Sequence, residues 1–237
     1  MWKDKAYSVA YELSDKISKL FVANLLWIIL NSPLLIVVIQ LRIVTQITSY
    51  YVLLPLLSLG LPLCFFPATQ ALFCLIRDVV LQTPVSTVKT FWRYWVSNFK
   101  ESLKMGILLS GLFTGLGLFL YYSWSISFIL FTVALIAIIF TLILMMQLFC
   151  FQAHFDMPFI WKLKRAQQLV FARIFYSIGS FMLAMLMVYV SFEMSIVVFV
   201  WITPVACVYT TFILFNYQYN KIISNKTVQW NRDSESM

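Results

Sequence analysis

Met105 to Ala153 reads MGILLSGLFTGLGLFLYYSWSISFILFTVALIAIIFTLILMMQLFCFQA, and no Asp, Glu, Lys or Arg interrupts it. A helix rising 1.5 Å per residue needs roughly 20 residues to cross a hydrocarbon layer of about 30 Å, so this run crosses twice and must fold back once. The polar, aromatic YYSWSIS at 121–127 marks the turn, and its Tyr121, Tyr122 and Trp124 suit the headgroup level, where amphipathic rings are favoured.

Further charge-free windows lie at 20–41, 43–76, 175–192 and 194–220. Glu193 alone separates the last two, which together are too long for one crossing, so a tight hairpin is expected there. The reading is an all-α, polytopic membrane helix bundle of about six transmembrane helices. The spans fall near 20–41, 52–76, 105–122, 128–153, 175–192 and 194–217, in one membrane domain over 1–220 with a short polar tail at 221–237. Composition agrees: 62% of the 237 residues are hydrophobic and 11% charged, against about 25% charged in soluble domains. The mixed-charge residues before the first apolar run, with no small-residue cleavage site after it, do not read as a cleavable signal peptide.

All of the 17 lysines and arginines except Arg42 fall in the N-terminus, in 77–104, in 162–173 or in the tail. Basic residues stay on the cytoplasmic side, so both termini and these clusters are expected there, in a bacterial cell membrane with an anionic inner leaflet. Arg42 and Glu193 are then expected to share the outer face and to pair. The net charge of +8 is dispersed between apolar runs rather than gathered on a soluble basic face, which excludes nucleic acid as the expected partner.

Three inner segments are amphipathic. The first places Trp2, Ala6, Val9, Leu13, Ile17 and Leu20 on one face. The second, after Thr83-Pro84, sets a stripe of Val88, Trp92, Trp95, Phe99 and Leu103 beside Lys89, Arg93, Lys100 and Lys104. The third, after Pro158, sets Phe159, Leu163, Ala166, Val170 and Ile174 against Lys162, Lys164, Arg165 and Arg173. They read as cytoplasmic elbow helices along the membrane surface, with Lys89, Arg93, Lys100, Lys104, Lys162 and Arg165 meeting lipid headgroups or a soluble partner. The tripeptide Leu72-Phe73-Cys74 recurs 76 residues later as Leu148-Phe149-Cys150, each ending a span before an elbow, which suggests an internal repeat.

Polar positions inside the spans are few. Asn24 and the Asn31-Ser32-Pro33 step predict a kinked first helix whose freed carbonyl is satisfied by a neighbouring side chain. Pro55, Gly60, Pro62 and Pro67 predict a broken or re-entrant outer half in the second span, with a regular part beginning at Pro67-Ala68-Thr69-Gln70. Gly111 and Gly115, four apart, predict a face for close helix packing. No charge falls mid-span, which disfavours independent ion-coupled transport. Cys64, Cys74, Cys150 and Cys207 form no CxxC, and His154 has only Asp156 nearby, so no cofactor, metal or catalytic set is expected.

Asn24-Leu25-Leu26-Trp27-Ile28, Pro67-Ala68-Thr69-Gln70-Ala71-Leu72-Phe73 leading to Arg77, and Lys89-Thr90-Phe91-Trp92-Arg93 with Asn98-Phe99-Lys100 together resemble the YesL-like family of small Gram-positive bacterial membrane proteins. The motif likeness covers roughly residues 16–110 and the rest follows by hydropathy. This chain differs in the longer stretch at about 36–66 before the Pro-Ala-Thr motif. The resemblance implies a domain of unknown function encoded beside binding-protein-dependent carbohydrate importers. It therefore implies a non-enzymatic accessory or regulatory role with ABC-transporter permease or ATPase subunits. An independent small-solute transporter or channel, and a scaffold for lipid or partner helices, stay open beside it. Neither the sugar nor the oligomeric state follows from the sequence.

Overall fold

The computed structural model describes residues 2–44, 46–84 and 86–235; the side chains of 2–6, 8, 9, 42, 47, 196 and 223–235 lie outside the description. The described backbone is helical, without strands: α1 (Trp2–Ile43), α2 (Ile47–Gly60), a π-helical turn (Leu61–Phe65), α3 (Phe66–Val80), α4 (Thr87–Ile126), α5 (Phe128–His154), α6 (Phe159–Ala172), α7 (Ile174–Met194), α8 (Ile196–Trp201) and α9 (Thr203–Glu235). Five stretches are long and apolar enough to cross a bilayer: Ala10–Leu41, Thr48–Val80, Thr87–Ile126, Phe128–His154 and Ile174–Met194. The chain is thus built as a multi-pass membrane protein. The last apolar run is divided at Ile202, ahead of Thr203 and Pro204, into α8 and α9.

Where the sequence predicts a surface helix followed by a span, the structure twice shows one unbroken helix. α1 runs through Lys19 and Leu20, and α4 through Lys104 and Met105, without interruption. No proline or glycine stands between Thr87 and Met105 to stop the helix. The inward face of α4 also continues across that boundary, through Phe91, Ser102, Met105 and Leu109. Only the third elbow is a separate element, entered after extended Pro158 and left at Arg173, where α6 gives way to α7. In α1 the N-terminal stripe falls partly on Trp2, Ala6 and Val9, outside the described side chains, while Leu13 and Ile17 are exposed.

The predicted break before Pro67 is also absent. Thr48–Val80 stays helical throughout, with Pro55 inside α2, Pro62 in a single π-helical turn and Pro67 in the first turn of α3. A π-helical turn absorbs an extra residue without ending the helix. At the other proline step the structure bears the reading out: the Ser32 hydroxyl donates to the Ile29 carbonyl (2.8 Å), the acceptor that Pro33 cannot serve. Asn31 Nδ2 donates to the Trp27 carbonyl at 2.9 Å.

α3 is the centre of the bundle, touching α1, α4, α5 and α9. Every residue from Phe66 to Ile76 is buried, as expected of a helix enclosed on all sides. The repeated tripeptides meet here: Phe73 stacks on Phe149 with centroids 5.2 Å apart and planes within 5°, and Phe66 stacks on the same ring at 5.6 Å. Equivalent positions of the two copies thus touch across the α3–α5 interface. Trp27 Nε1 donates to Thr69 Oγ1 at 3.0 Å and ties α1 to the same core.

Candidate functional site at the basic end

Tyr94, Asn98 and Ser102 are spaced four apart, so they share one face of α4, and that face turns toward α3 and α5. Of the predicted apolar stripe, Val88 and Trp92 point away from the protein, with Trp92 53% exposed, whereas Trp95, Phe99 and Leu103 are half-buried and Trp95 packs against the core. In a bilayer this inversion is physically sensible, because polar groups must find partners inside the protein while apolar ones can face lipid.

α3 supplies the charged members at its C-terminal turn. Arg77 Nε and Nη2 donate to Asp78 Oδ1 at 2.9 and 2.7 Å, and Nη2 also reaches Tyr94 Oη at 2.9 Å. Tyr94 Oη in turn donates to Asp78 Oδ2 at 2.6 Å. Arg77 Nη1 donates to the Ala153 carbonyl, an otherwise unserved acceptor in the last turn of α5. A cation at a helix C-terminus is favoured there by the helix dipole as well. One guanidinium therefore joins α3, α4 and α5, and it joins them at positions 76 residues apart, the spacing of the internal repeat.

The turn that leads from α3 to α4 is closed by backbone bonds. Gln82 adopts φ 56°, its N–H bonds Val79 O at 3.3 Å, and the Thr83 N–H bonds Asp78 O at 3.0 Å. This is the left-handed termination that glycine usually provides. It directs the chain back so that Tyr94 returns over Arg77.

On the far wall, Gln152 Nε2 donates to Ser102 Oγ at 3.3 Å, and Asn98 Nδ2 makes only a long contact of 3.7 Å with Cys74 Sγ. Lys162 of α6 is 2% exposed, with its Nζ 2.6 Å from Glu101 Oε2. Cys74, Asn98, Gln152 and Lys162 line a cavity of about 400 Å³, together with Arg77, Tyr94, Ser97, Ala153, His154, Phe155 and Asp156.

The other sequence-predicted positions distribute as follows. Lys89, Arg93, Lys100 and Lys104 are exposed on α4, whereas Lys162, expected at headgroups or on a partner, is buried and pairs with the partly exposed Glu101. Arg165 is exposed, donates to Gln168 Oε1 at 2.8 Å and sits 5.4 Å from the Trp161 ring centre. Asn24 Nδ2 donates to the Trp201 carbonyl at 2.6 Å and so caps the end of α8. Asn31, Thr69 and Gln70 are packed into the core, with Gln70 Nε2 donating to Cys74 Sγ at 3.5 Å.

Gly111 and Gly115 are not a packing face within this chain, since a Cβ at either would meet nothing within 4 Å. The close approach is at Gly106, where a Cβ would lie 2.7 Å from Pro62 Cα. Glu193 is exposed near the end of α7, and the Arg42 side chain, its expected partner, lies outside the described residues. The four cysteines are free. Among the described residues no three His, Cys, Asp or Glu side chains converge on a point.

Sequence reasoning missed Tyr94, Ser102, Glu101 and Gln152. The i, i+4, i+8 spacing of Tyr94, Asn98 and Ser102 was the available signal.

Comparison with known proteins adds one likeness. Neither a curated protein nor a solved structure matches. Residues 20–124, which carry α3 and all of α4 but its last two residues, match the family described as a protein of unknown function, DUF624.

Proposed function

We propose that this chain is a non-enzymatic accessory or regulatory membrane subunit. The YesL-like resemblance directs that role to a carbohydrate ABC transporter, with permease or ATPase subunits as partners. The observation that carries the reading is the filled centre. Phe66, Phe73, Phe149, Trp27 and Thr69 pack against one another where a transporter working alone needs a polar path.

The same proposal places six crossings in a Gram-positive cell membrane, the sixth formed by α8 and the first turns of α9. Both termini and the basic residues face the cytoplasm, which the distribution of lysine and arginine supports. The exposed Val88, Trp92 and Val96 beside Lys89 and Arg93 support a second reading, a scaffold that binds the anionic inner leaflet or partner helices.

Affinity purification of the tagged chain from native membranes, paired with sugar uptake in a deletion strain, separates these readings. Recovery of permease or ATPase subunits with reduced uptake is the expected result. Unchanged uptake with no transporter subunit recovered removes the accessory role, and solute flux through liposomes holding this chain alone revives the independent transporter.

A further inference from the structure

We propose that the cavity at the basic end binds a small, uncharged, hydroxyl-rich molecule. The proposal stands on the cavity alone and does not require the accessory role. A pocket of about 400 Å³ is within the size range of small-molecule sites. Its ligand class follows from which of its polar groups are already occupied.

The formal charges are largely spent. Arg77 directs its N–H groups to Asp78, Tyr94 and the Ala153 carbonyl, and Lys162 is held 2.6 Å from Glu101. An anion would need an open guanidinium fork or a free ammonium, and these two cations are already engaged. A cationic ligand would need a surplus of carboxylates, but Asp78 and Glu101 are paired and the remaining acid, Asp156, is exposed at the rim.

The unoccupied capacity is neutral. Gln152 is 5% exposed, yet its Oε1 has no partner among the described residues, and neither has His154 Nδ1. The Gln152 oxygen accepts and so needs a donor, whereas the imidazole Nδ1 gives or takes a hydrogen bond according to its tautomer. Asn98 offers the opposite polarity, because its amide N–H rests on a thiol at 3.7 Å, a poor exchange for an oxygen acceptor. An acceptor, a donor and an imidazole nitrogen that can be either line one cavity, flanked by the rings of Tyr94 and Phe155, and fit a molecule that carries several hydroxyls on a carbon frame. Each hydroxyl both gives and takes a hydrogen bond.

The test is calorimetric titration of the purified full-length chain in lipid nanodiscs with glucose, myo-inositol, choline and inorganic phosphate. Glucose or myo-inositol is expected to bind at millimolar or better affinity, while choline and phosphate give no saturable heat. Gln152→Met is expected to weaken binding roughly tenfold, the factor equivalent to about 1.4 kcal/mol. Asn98→Ala, at a half-buried position, is expected to act in the same direction. Thermal unfolding without ligand shows that each variant is folded. Absence of heat with both polyols, preference for phosphate or choline, or unchanged polyol affinity in both folded variants overturns the proposal.

Discussion

The two halves of α4 belong to one helix and obey opposite packing rules. From Thr90 to Leu109 the helix buries Thr90, Phe91, Ser102, Met105, Gly106 and Leu109 and contributes Tyr94 and Asn98 to the basic-end network. From Gly111 to Ile126 Leu112, Leu118, Phe119, Tyr121 and Trp124 are exposed, and Ser123 is the one residue buried there. The exposed half is no less apolar than the packed one. What differs is the polar groups and the close backbone approach, and in a bilayer these decide. Lipid tails are as apolar as leucine, so an apolar face gains little by leaving them, whereas an unpartnered polar group or a well-fitted glycine gains a great deal.

The hardest blow to the packed half is Arg77→Met. Asp78 is 7% exposed, and stripping its cation leaves an uncompensated buried carboxylate, a loss of about 3 kcal/mol or more. Thermal unfolding of the purified protein in detergent should show a large drop in midpoint. A midpoint within experimental error of the parent would mean that the network contributes no net stability, and the contrast between the halves would lose its main support.

Next in size is a pair of identical substitutions at two glycines. Gly106→Ala drives a methyl group against Pro62 backbone at 2.7 Å and should cost about 2 kcal/mol, in the range of overpacked cores. Gly111→Ala meets nothing within 4 Å and should be neutral or gain up to about 1 kcal/mol from helix propensity. Opposite signs sharpen the comparison. A loss of equal size at Gly111 would show that a second molecule packs on that half.

Tyr94→Phe is a gentler cut in the same network. It removes the hydroxyl that donates to Asp78 and accepts from Arg77 and should cost about 1 to 2 kcal/mol. Because Arg77 and Asp78 still bond each other, the loss must be smaller than that of Arg77→Met. The reverse ranking would assign the coupling of α3 to α4 to the tyrosine rather than the arginine.

These residues also show what could be read in advance. The charge-free windows identify the apolar helices because length and hydropathy are properties of the chain itself. Ser32 serving the carbonyl beside Pro33 is equally legible, since both residues lie within one helical turn. The repeated Leu-Phe-Cys was legible as a repeat, but the contact that its two copies make through Phe73 and Phe149 was not.

The face that α4 presents inward was not legible. Periodicity finds two stripes on a helix, but it does not say which one meets protein when lipid is the alternative solvent. Lys162 went astray for a related reason: its partner Glu101 is distant in sequence, so the lysine reads as one more surface charge. Gly111 and Gly115 carry the familiar spacing, while Gly106, which has no partner glycine four residues away, makes the close approach because Pro62 on another helix requires it.

The smallest effect lies at the turn where the packed half begins. Gln82 holds φ 56° without being glycine, and a side chain in that left-handed region costs energy that a bare Cα avoids. Gln82→Gly keeps the bonds from its own N–H to Val79 and from Thr83 to Asp78, so it should raise stability by about 0.5 to 1 kcal/mol, with a slightly higher unfolding midpoint. The competing influence is α1: Gln82 and Thr83 border a cleft also lined by Glu12, Asp15, Lys16 and Lys19. If the glutamine amide contributes across that cleft, the glycine variant falls in stability rather than rising. The sign of this one substitution therefore reports whether the turn is held by its own backbone or by the helix beside it.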